Sequence, residues 1–187
     1  VHGTEIVRVI RRDAGRGARD YADALADADA LITNDSGVAL MLCFADCVPV
    51  LLYDPVHHAI GVVHAGWKGT AEKTIARMGE EFGTAASDVL AGIGPSIGAG
   101  CYTVGAEVAE QFRAAFPVHA EQIVQERDGA IHLDLWAANR IQMVAAGVLV
   151  QNIDQADICT SCDRSFFYSY RAAGGRTGRL AAVMELR

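Results

Sequence analysis

The residues best suited to chemistry are a cysteine and a histidine at the ends of two neighbouring apolar runs. Cys47 directly precedes the run Val48 to Tyr53, and His64 ends the run Ala59 to His64. Because Asp54-Pro55 between the runs is a turn signal, a hairpin is expected to bring both side chains to the same end of a sheet. There they form a nucleophile pair or two ligands of a metal ion. A buried free cysteine and a hydrogen-bonded core histidine are the ordinary alternative.

The residues that follow His64 have the composition of a pocket rim. Gly66 and Gly69 bracket Trp67 and Lys68 at the point where a helix is predicted to begin. Glycine permits close backbone approach, the indole offers an aromatic face, and the ammonium offers a cation. A tryptophan that plugs the core is the alternative.

The elements that position these residues are strands and helices in alternation. Apolar periodicity and turn signals predict the strands Val38 to Cys43, Val48 to Tyr53, Ala59 to His64, Val89 to Ile93, Ile131 to Leu133, Asp157 to Thr160 and Leu180 to Leu186. They predict the helices Thr70 to Phe82, Gly105 to Phe116, and one that Asp134 caps and Gly147 ends. We therefore expect an α/β (α+β) single domain with a mixed β-sheet flanked by helices.

Composition narrows the class of protein and its partners. At about 150 residues per domain, the 187 residues predict one domain, and 51% apolar residues can supply its core. The net charge of −7 disfavours nucleic acid as a partner, and no apolar run approaches the roughly 20 residues that span a membrane. Five cysteines, an odd number, disfavour a disulfide framework, so a reducing, cytoplasmic location is expected.

The other four cysteines are predicted to be structural. Cys159-Thr160-Ser161-Cys162 is a CxxC motif, but the second CxxC of a zinc ribbon is missing, so inert thiols are expected. Cys43 is expected to be buried in its strand. Cys101 follows a glycine-rich turn, and packing is its expected role.

A series of short motifs runs in order along nearly the whole chain. They are Val1-His2-Gly3, Ala28-Asp29-Ala30-Leu31, Ala45-Asp46-Cys47-Val48-Pro49-Val50-Leu51, His64-Ala65-Gly66-Trp67-Lys68-Gly69, Gly94-Pro95-Ser96-Ile97-Gly98, Cys101-Tyr102, Phe167-Tyr168-Ser169-Tyr170-Arg171 and Thr177-Gly178-Arg179. With them the chain resembles the YfiH/YlmD-like laccase-domain family, whose members are also named polyphenol oxidases or purine nucleoside phosphorylases. The resemblance implies a YfiH-like sandwich over residues 1–187, without the upstream portion that family members have.

The resemblance implies a zinc site formed by His2, Cys47 and His64. Two imidazoles and one thiolate suit Zn²⁺, and three protein ligands leave a fourth position for water or substrate. Asp46, beside Cys47, is expected to support catalysis by these groups, and Asp29 is a second residue that could orient a ligand.

The resemblance also implies the substrates. Family members are described as cleaving adenosine, inosine and methylthioadenosine with phosphate and as deaminating adenosine. Phosphorolysis needs an anion site, for which Lys68, Arg171 and Arg179 are the candidates, with Trp67 beside them. Lys68 stands where the family often has Arg, and Ala172 where it often has another basic residue.

Three other functions remain open at this point. Cys47 and His64 could be the nucleophile and base of a hydrolase. Copper-dependent phenol oxidation is a second alternative, although six histidines are few for a multicopper site, which makes copper an adventitious occupant. A non-catalytic, zinc-stabilised binding protein is the third, and the oligomeric state is left open.

Overall fold

The computed structural model describes residues 3–65 and 70–187, which form a mixed α/β fold. The strands within these ranges are β1 (Ile6–Arg8), β2 (Ala30–Thr33), β3 (Leu40–Phe44), β4 (Val48–Asp54), β5 (Ala59–Ala65), β6 (Leu90–Ile93), β7 (Thr103–Val104), β8 (Val124–Arg127), β9 (Ala130–Leu133), β10 (Ile153–Gln155) and β11 (Leu180–Met184). The α-helices are α1 (Thr70–Phe82), α2 (Ala106–Ala115), α3 (Ala120–Ile123) and α4 (Leu135–Ala145).

A six-stranded mixed sheet in the order β1-β2-β5-β4-β6-β10 forms the centre of the fold. Its outer pairs, β1–β2 and β6–β10, are parallel, and the inner pairs are antiparallel. The predicted hairpin is confirmed as β4 and β5. Its turn is held by Asp54, whose carboxylate accepts hydrogen bonds from the backbone N–H groups of Val56 (2.8 Å) and His57 (3.1 Å).

Both faces of the central strands β4 and β5 are covered, which explains why these two strands are apolar almost without interruption. On one face, alternate residues of β5 such as Val63 pack in a core that includes Ile75 and Met78 of α1. On the other face, Ile60 and Val62 pack in a second core with Leu40 of β3. The sheet therefore lies between a helical layer and a second β-layer.

The second β-layer is the antiparallel pair β3–β11. Leu40 and Phe44 of β3 are buried, whereas Met41 and Cys43 are exposed. The expectation that Cys43 is buried is therefore wrong. The β3–β11 pair has one face against the central sheet and one face open, and the two-residue period of a strand places Cys43 on the open face.

The helix predictions are confirmed. Helix α1 spans Thr70–Phe82, α2 is flanked by Gly105 and Phe116, and the Asp134 carboxylate caps α4 by accepting the N–H of Ala137 at 2.9 Å. Helices α2 and α3 lie in the chain between β7 and β8, which form a three-stranded antiparallel sheet with β9 in the order β7-β9-β8. None of the helices in the described ranges has the length and apolarity that crossing a bilayer requires.

The strand predicted at Asp157 to Thr160 is wrong. The strand that pairs with β6 is Ile153–Gln155, whose last pair joins Gln155 to Ile93. Asp157 then has φ of 55°, a left-handed conformation that interrupts an extended chain. Only one isolated bridge, between Ser96 and Cys159, continues the pairing in this region of the described chain.

Candidate active site

Cys47 and His64 lie at the same end of the β4–β5 hairpin. Cys47 directly precedes β4, and His64 is the next-to-last residue of β5, opposite Pro49. The His64 ring packs against the buried ring of Phe44, with their centroids 5.0 Å apart. The turn at the far end of the hairpin and the register between its strands thus set where both donors lie.

Asp29 joins the start of the described chain to this end of the sheet. Its buried carboxylate accepts the N–H of Gly3 at Oδ1 (2.9 Å) and that of Glu5 at Oδ2 (3.1 Å). Its backbone carbonyl accepts the N–H of His64 at 2.7 Å. Asp29 therefore fixes Gly3 beside β5. His2, the third predicted zinc ligand, lies outside the described residues.

Asp46 ties two distant segments to the residue that precedes β4. It is 8% exposed, and Oδ1 accepts the Thr160 hydroxyl at 2.6 Å while Oδ2 accepts the backbone N–H of Arg171 at 2.8 Å. Since both oxygens are occupied by donors, the geometry suits Asp46 to positioning the chain around Cys47.

Two arginines flank this region without a carboxylate partner. Nη1 of Arg171 donates to the carbonyl (2.8 Å) and the hydroxyl (3.0 Å) of Thr103, and its guanidinium lies 5.1 Å from the ring centroid of Tyr102. Nη1 of Arg179 donates to two carbonyls of its own segment. Within the described ranges neither guanidinium forms an ion pair. Trp67 and Lys68 lie outside those ranges.

The electrostatic environment raises the pKa of two side chains of the site, Cys47 and Tyr102. Burial raises the pKa of the Cys47 thiol, the Asp46 carboxylate raises it further, and the charge of Arg179 acts in the opposite direction. Burial also raises the pKa of Tyr102, and the nearby Cys47 adds to the shift, whereas Arg171 reduces it. Cys47, Tyr102 and both arginines are therefore near enough to influence one another.

Sequence reasoning missed two residues of this region. Tyr102 lies beside Cys101 in one of the family-like motifs, and Thr160 lies between the two cysteines of the CxxC motif. Sequence reasoning assigned a role to neither residue. A polar residue between two motif cysteines was the available signal for Thr160. For Tyr102 the only signal was its place in the motif.

Three cysteines expected to be separate structural thiols lie together instead. The sulfur atoms of Cys101, Cys159 and Cys162 are all within 4.8 Å of one another. Burial raises the pKa of Cys159, but backbone N–H groups of Gly98, Cys162 and Ser161 outweigh it and lower the pKa overall. Hydrogen bonding with Cys101 and Cys159 raises the pKa of Cys162 to about 12.

The donor chemistry at the end of the hairpin fits a zinc ion. One thiol and one imidazole, near the point where Asp29 holds Gly3, are ligands that Zn²⁺ prefers. The structure thus defines a class of protein: a mixed α/β domain in which a cysteine and a histidine lie at one end of a buried hairpin, near two arginines that form no ion pair within residues 3–65 and 70–187.

The chain belongs to the family described as multi-copper polyphenol oxidoreductase laccase, whose model matches residues 1–187. A relative from Bacillus subtilis, "Purine nucleoside phosphorylase YlmD", is 40% identical over 191 residues, covering 100% of this chain and 68% of the relative. "Adenosine deaminase RL5", from an unknown prokaryotic organism, is 38% identical over 182 residues, covering 95% and 70%. The crystal structure of Bacillus licheniformis hypothetical protein YfiH superimposes with a TM-score of 0.95 at 37% identity, covering 100% of this chain and 72% of that one.

Proposed function

We propose that this protein is a zinc-dependent purine nucleoside enzyme that cleaves adenosine, inosine and methylthioadenosine with phosphate and deaminates adenosine. One observation carries the proposal: two guanidinium groups that have no carboxylate partner among the described residues lie near a thiol and an imidazole. The relatives of the chain bear the names purine nucleoside phosphorylase and adenosine deaminase. A nucleoside and an inorganic anion are the two reactants that such a site would hold.

The arginines are suited to hold phosphate. Arg171 is fixed through Nη1 by Thr103 and packs on Tyr102, so its remaining guanidinium nitrogens can face an anion. Arg179 also uses Nη1 for carbonyls of the protein. We propose that Lys68 adds a third positive charge and that Trp67 packs against the purine base.

The zinc ligands in this proposal are His2, Cys47 and His64. When bound, zinc supplies a Lewis acid that lowers the pKa of water and polarises a substrate oxygen or nitrogen. Asp46 positions the Arg171 segment, and Asp29 positions the chain at Gly3. Tyr102, kept protonated by its raised pKa, is suited to donate a hydrogen bond to substrate.

Phosphorolysis and deamination each replace one bond at a carbon atom of the nucleoside. In phosphorolysis a phosphate oxygen bonds to C1′ of the ribose, the bond from C1′ to the base breaks, and the base leaves with the electron pair and takes up a proton. In deamination the oxygen of water bonds to C6 of adenosine and the bond from C6 to the amino nitrogen breaks. One proton of the water goes to the amino group, which leaves as ammonia, and the other goes to N1 of the purine ring.

The raised pKa of Cys47 disfavours the hydrolase alternative. A nucleophilic cysteine needs a lowered pKa, whereas burial and Asp46 raise that of Cys47. A metal ligand does not need this preparation, because the ion itself displaces the proton. The environment of Cys47 thus favours coordination over covalent catalysis.

The test is chromatography of nucleosides incubated with zinc-loaded protein, with and without phosphate. We expect phosphate-dependent release of adenine and hypoxanthine, and conversion of adenosine to inosine. Arg171→Lys keeps the charge but loses the planar fork, so we expect its KM for phosphate to rise about tenfold. Arg113→Lys, which alters a surface ion pair, is the matched control and should leave KM unchanged. Absence of both reactions in folded, zinc-loaded protein would refute the proposal.

A further inference from the structure

The three clustered cysteines have the separations of a metal site. Sγ of Cys101 and Sγ of Cys162 are 3.4 Å apart, and all three sulfurs lie within 4.8 Å of one another. Tetrahedral coordination with Zn–S bonds of about 2.3 Å places sulfurs about 3.8 Å apart. The separation of 3.4 Å lies just below that value and the other two are at most 4.8 Å, so small side-chain rotations suffice to reach it.

The backbone builds this cluster from two segments that are far apart in sequence. Ser96 and Cys159 form a parallel bridge, in which the Ser96 N–H donates to the Ile158 carbonyl (3.2 Å) and the Thr160 N–H to the Ser96 carbonyl (3.1 Å). The turn that follows returns at Cys101, whose N–H donates to the Gly98 carbonyl at 2.9 Å. The regular hydrogen bonding of the bridge thus holds the CxxC motif against Cys101.

Gly98 is required for this close approach. A Cβ atom at position 98 would lie 3.1 Å from the Trp136 ring and 3.3 Å from Cβ of Cys159. The Gly98 N–H instead points at the Cys159 sulfur, 3.2 Å away. A residue with a side chain would therefore push the two segments apart.

The Cys159 sulfur accepts a hydrogen bond from a backbone N–H of the other segment. The Gly98 N–H donates to the sulfur at 3.2 Å, and the backbone groups of Ser161 and Cys162 also help to lower the pKa of the thiol. Donors of this kind stabilise a thiolate and tune its bond to a metal.

We propose that Cys101, Cys159 and Cys162 form a second metal site, separate from the Cys47 and His64 site, for a thiophilic ion such as Zn²⁺. Thiolates are the soft ligands that select this class of ion over Mg²⁺ and Ca²⁺. Cys162 is exposed, so the fourth position opens to solvent or to an external ligand. Each Zn–S bond replaces an S–H bond, and the displaced proton goes to solvent, with no change of oxidation state.

The test measures zinc per chain in protein that has been reduced with a phosphine, stripped with a chelator, reloaded with Zn²⁺ and freed of excess ion by gel filtration. We expect Cys162→Ser to retain one equivalent less than the wild type. Cys43→Ser is the matched control, because Cys43 is also an exposed thiol but lies outside the cluster, and it should retain the wild-type amount. Circular dichroism confirms that each variant is folded.

Cys47→Ala distinguishes a failure of the three-cysteine metal site from a failure of the zinc site in the proposed function. If both sites exist, Cys47→Ala and Cys162→Ser each lose a different equivalent, and the double variant loses two. If the site at Cys47 fails, only Cys162→Ser shows a loss. Bound Zn²⁺ should also protect Cys101, Cys159 and Cys162 from iodoacetamide, as peptide mass spectrometry would show.

Two results would overturn the second site. One is an unchanged zinc content in Cys162→Ser together with alkylation of the three cysteines at the same rate with and without Zn²⁺. The other is a disulfide between Cys101 and Cys162 in protein purified without reductant, with no zinc retained after reduction and reloading, which would assign a redox pair instead.

Discussion

Removing the Asp46 carboxylate tests whether this residue holds the segments of the site together. Asp46→Ala takes an acceptor from the buried Thr160 hydroxyl and from the Arg171 N–H. A hydrogen bond to a charged group contributes about 1.5–3 kcal/mol. Asp46 accepts two such hydrogen bonds, and the one from the Arg171 N–H is only partly buried. We therefore expect the free energy of unfolding to fall by about 3 kcal/mol, the lower limit for the two bonds together.

Asp46→Asn keeps the shape of the side chain and removes its negative charge. The amide oxygen can still accept the Arg171 N–H, and the amide nitrogen can donate to the Thr160 hydroxyl, which reverses its role. We expect this variant to lose about 1 kcal/mol. Asp154→Asn is the matched control because Asp154 is exposed in β10, and it should change stability by less than about 0.5 kcal/mol.

Urea denaturation at equilibrium, with the slope m unchanged among variants, is the assay. A double-mutant cycle with Thr160→Val should return a coupling energy of about 1 kcal/mol or more between the two side chains. Equal stability of Asp46→Ala and Asp46→Asn, or a coupling energy near zero, would refute the positioning role of Asp46.

Two further predictions concern the supporting structure. Burial would raise the pKa of Asp54, but the nearby Thr84 and the hydrogen bonds from His57 and Val56 hold it below its ordinary value. The ionised Asp54 carboxylate therefore stabilises the fold fully at neutral pH, and this stabilisation is lost as pH falls below about 4, through the native pKa. The difference in the free energy of unfolding between wild type and Asp54→Asn, followed by urea denaturation, should shrink over that range. A constant difference would contradict the prediction. Gly178→Ala places a Cβ 2.8 Å from the Tyr168 ring, so we expect a loss of about 1–3 kcal/mol by thermal unfolding. Gly100→Ala, which meets nothing within 4 Å, is the control; equal effects of both substitutions would contradict the steric argument.

Local patterns predicted the hairpin and the helices because their determinants are local. Two apolar runs around Asp54-Pro55 specify β4 and β5, and Gly105 and Pro117 delimit α2. The exposure of Cys43 could not be predicted in this way. Both faces of its run are apolar, so only the packing of β3 on β5 decides which face is open.

In the candidate site, likewise, the residues that could be predicted are those marked by a local sequence pattern. Cys47 and His64 stand at run ends and were therefore visible in the sequence. Thr160 and Asp46 are 114 positions apart, and Cys101 and Cys162 are 61 apart, so no spacing rule relates them. These contacts exist only because the Ser96–Cys159 bridge and the Arg171 segment fold back onto the end of the hairpin.

The hydrogen bond between Thr160 and Asp46 also connects the two candidate metal sites. Thr160 lies between Cys159 and Cys162, and Asp46 directly precedes Cys47. An ion bound by the three cysteines would therefore stabilise the same segment that Asp46 holds, so we expect Zn²⁺ binding there to reinforce the positioning of Arg171.

Anomalous X-ray diffraction at the zinc absorption edge, from crystals of the zinc-loaded protein, shows directly whether Cys47 and His64 bind one zinc ion. We expect a zinc peak shared by Sγ of Cys47 and a ring nitrogen of His64. A zinc-loaded crystal with no peak between these two residues, whatever is found at the three-cysteine cluster, would contradict it.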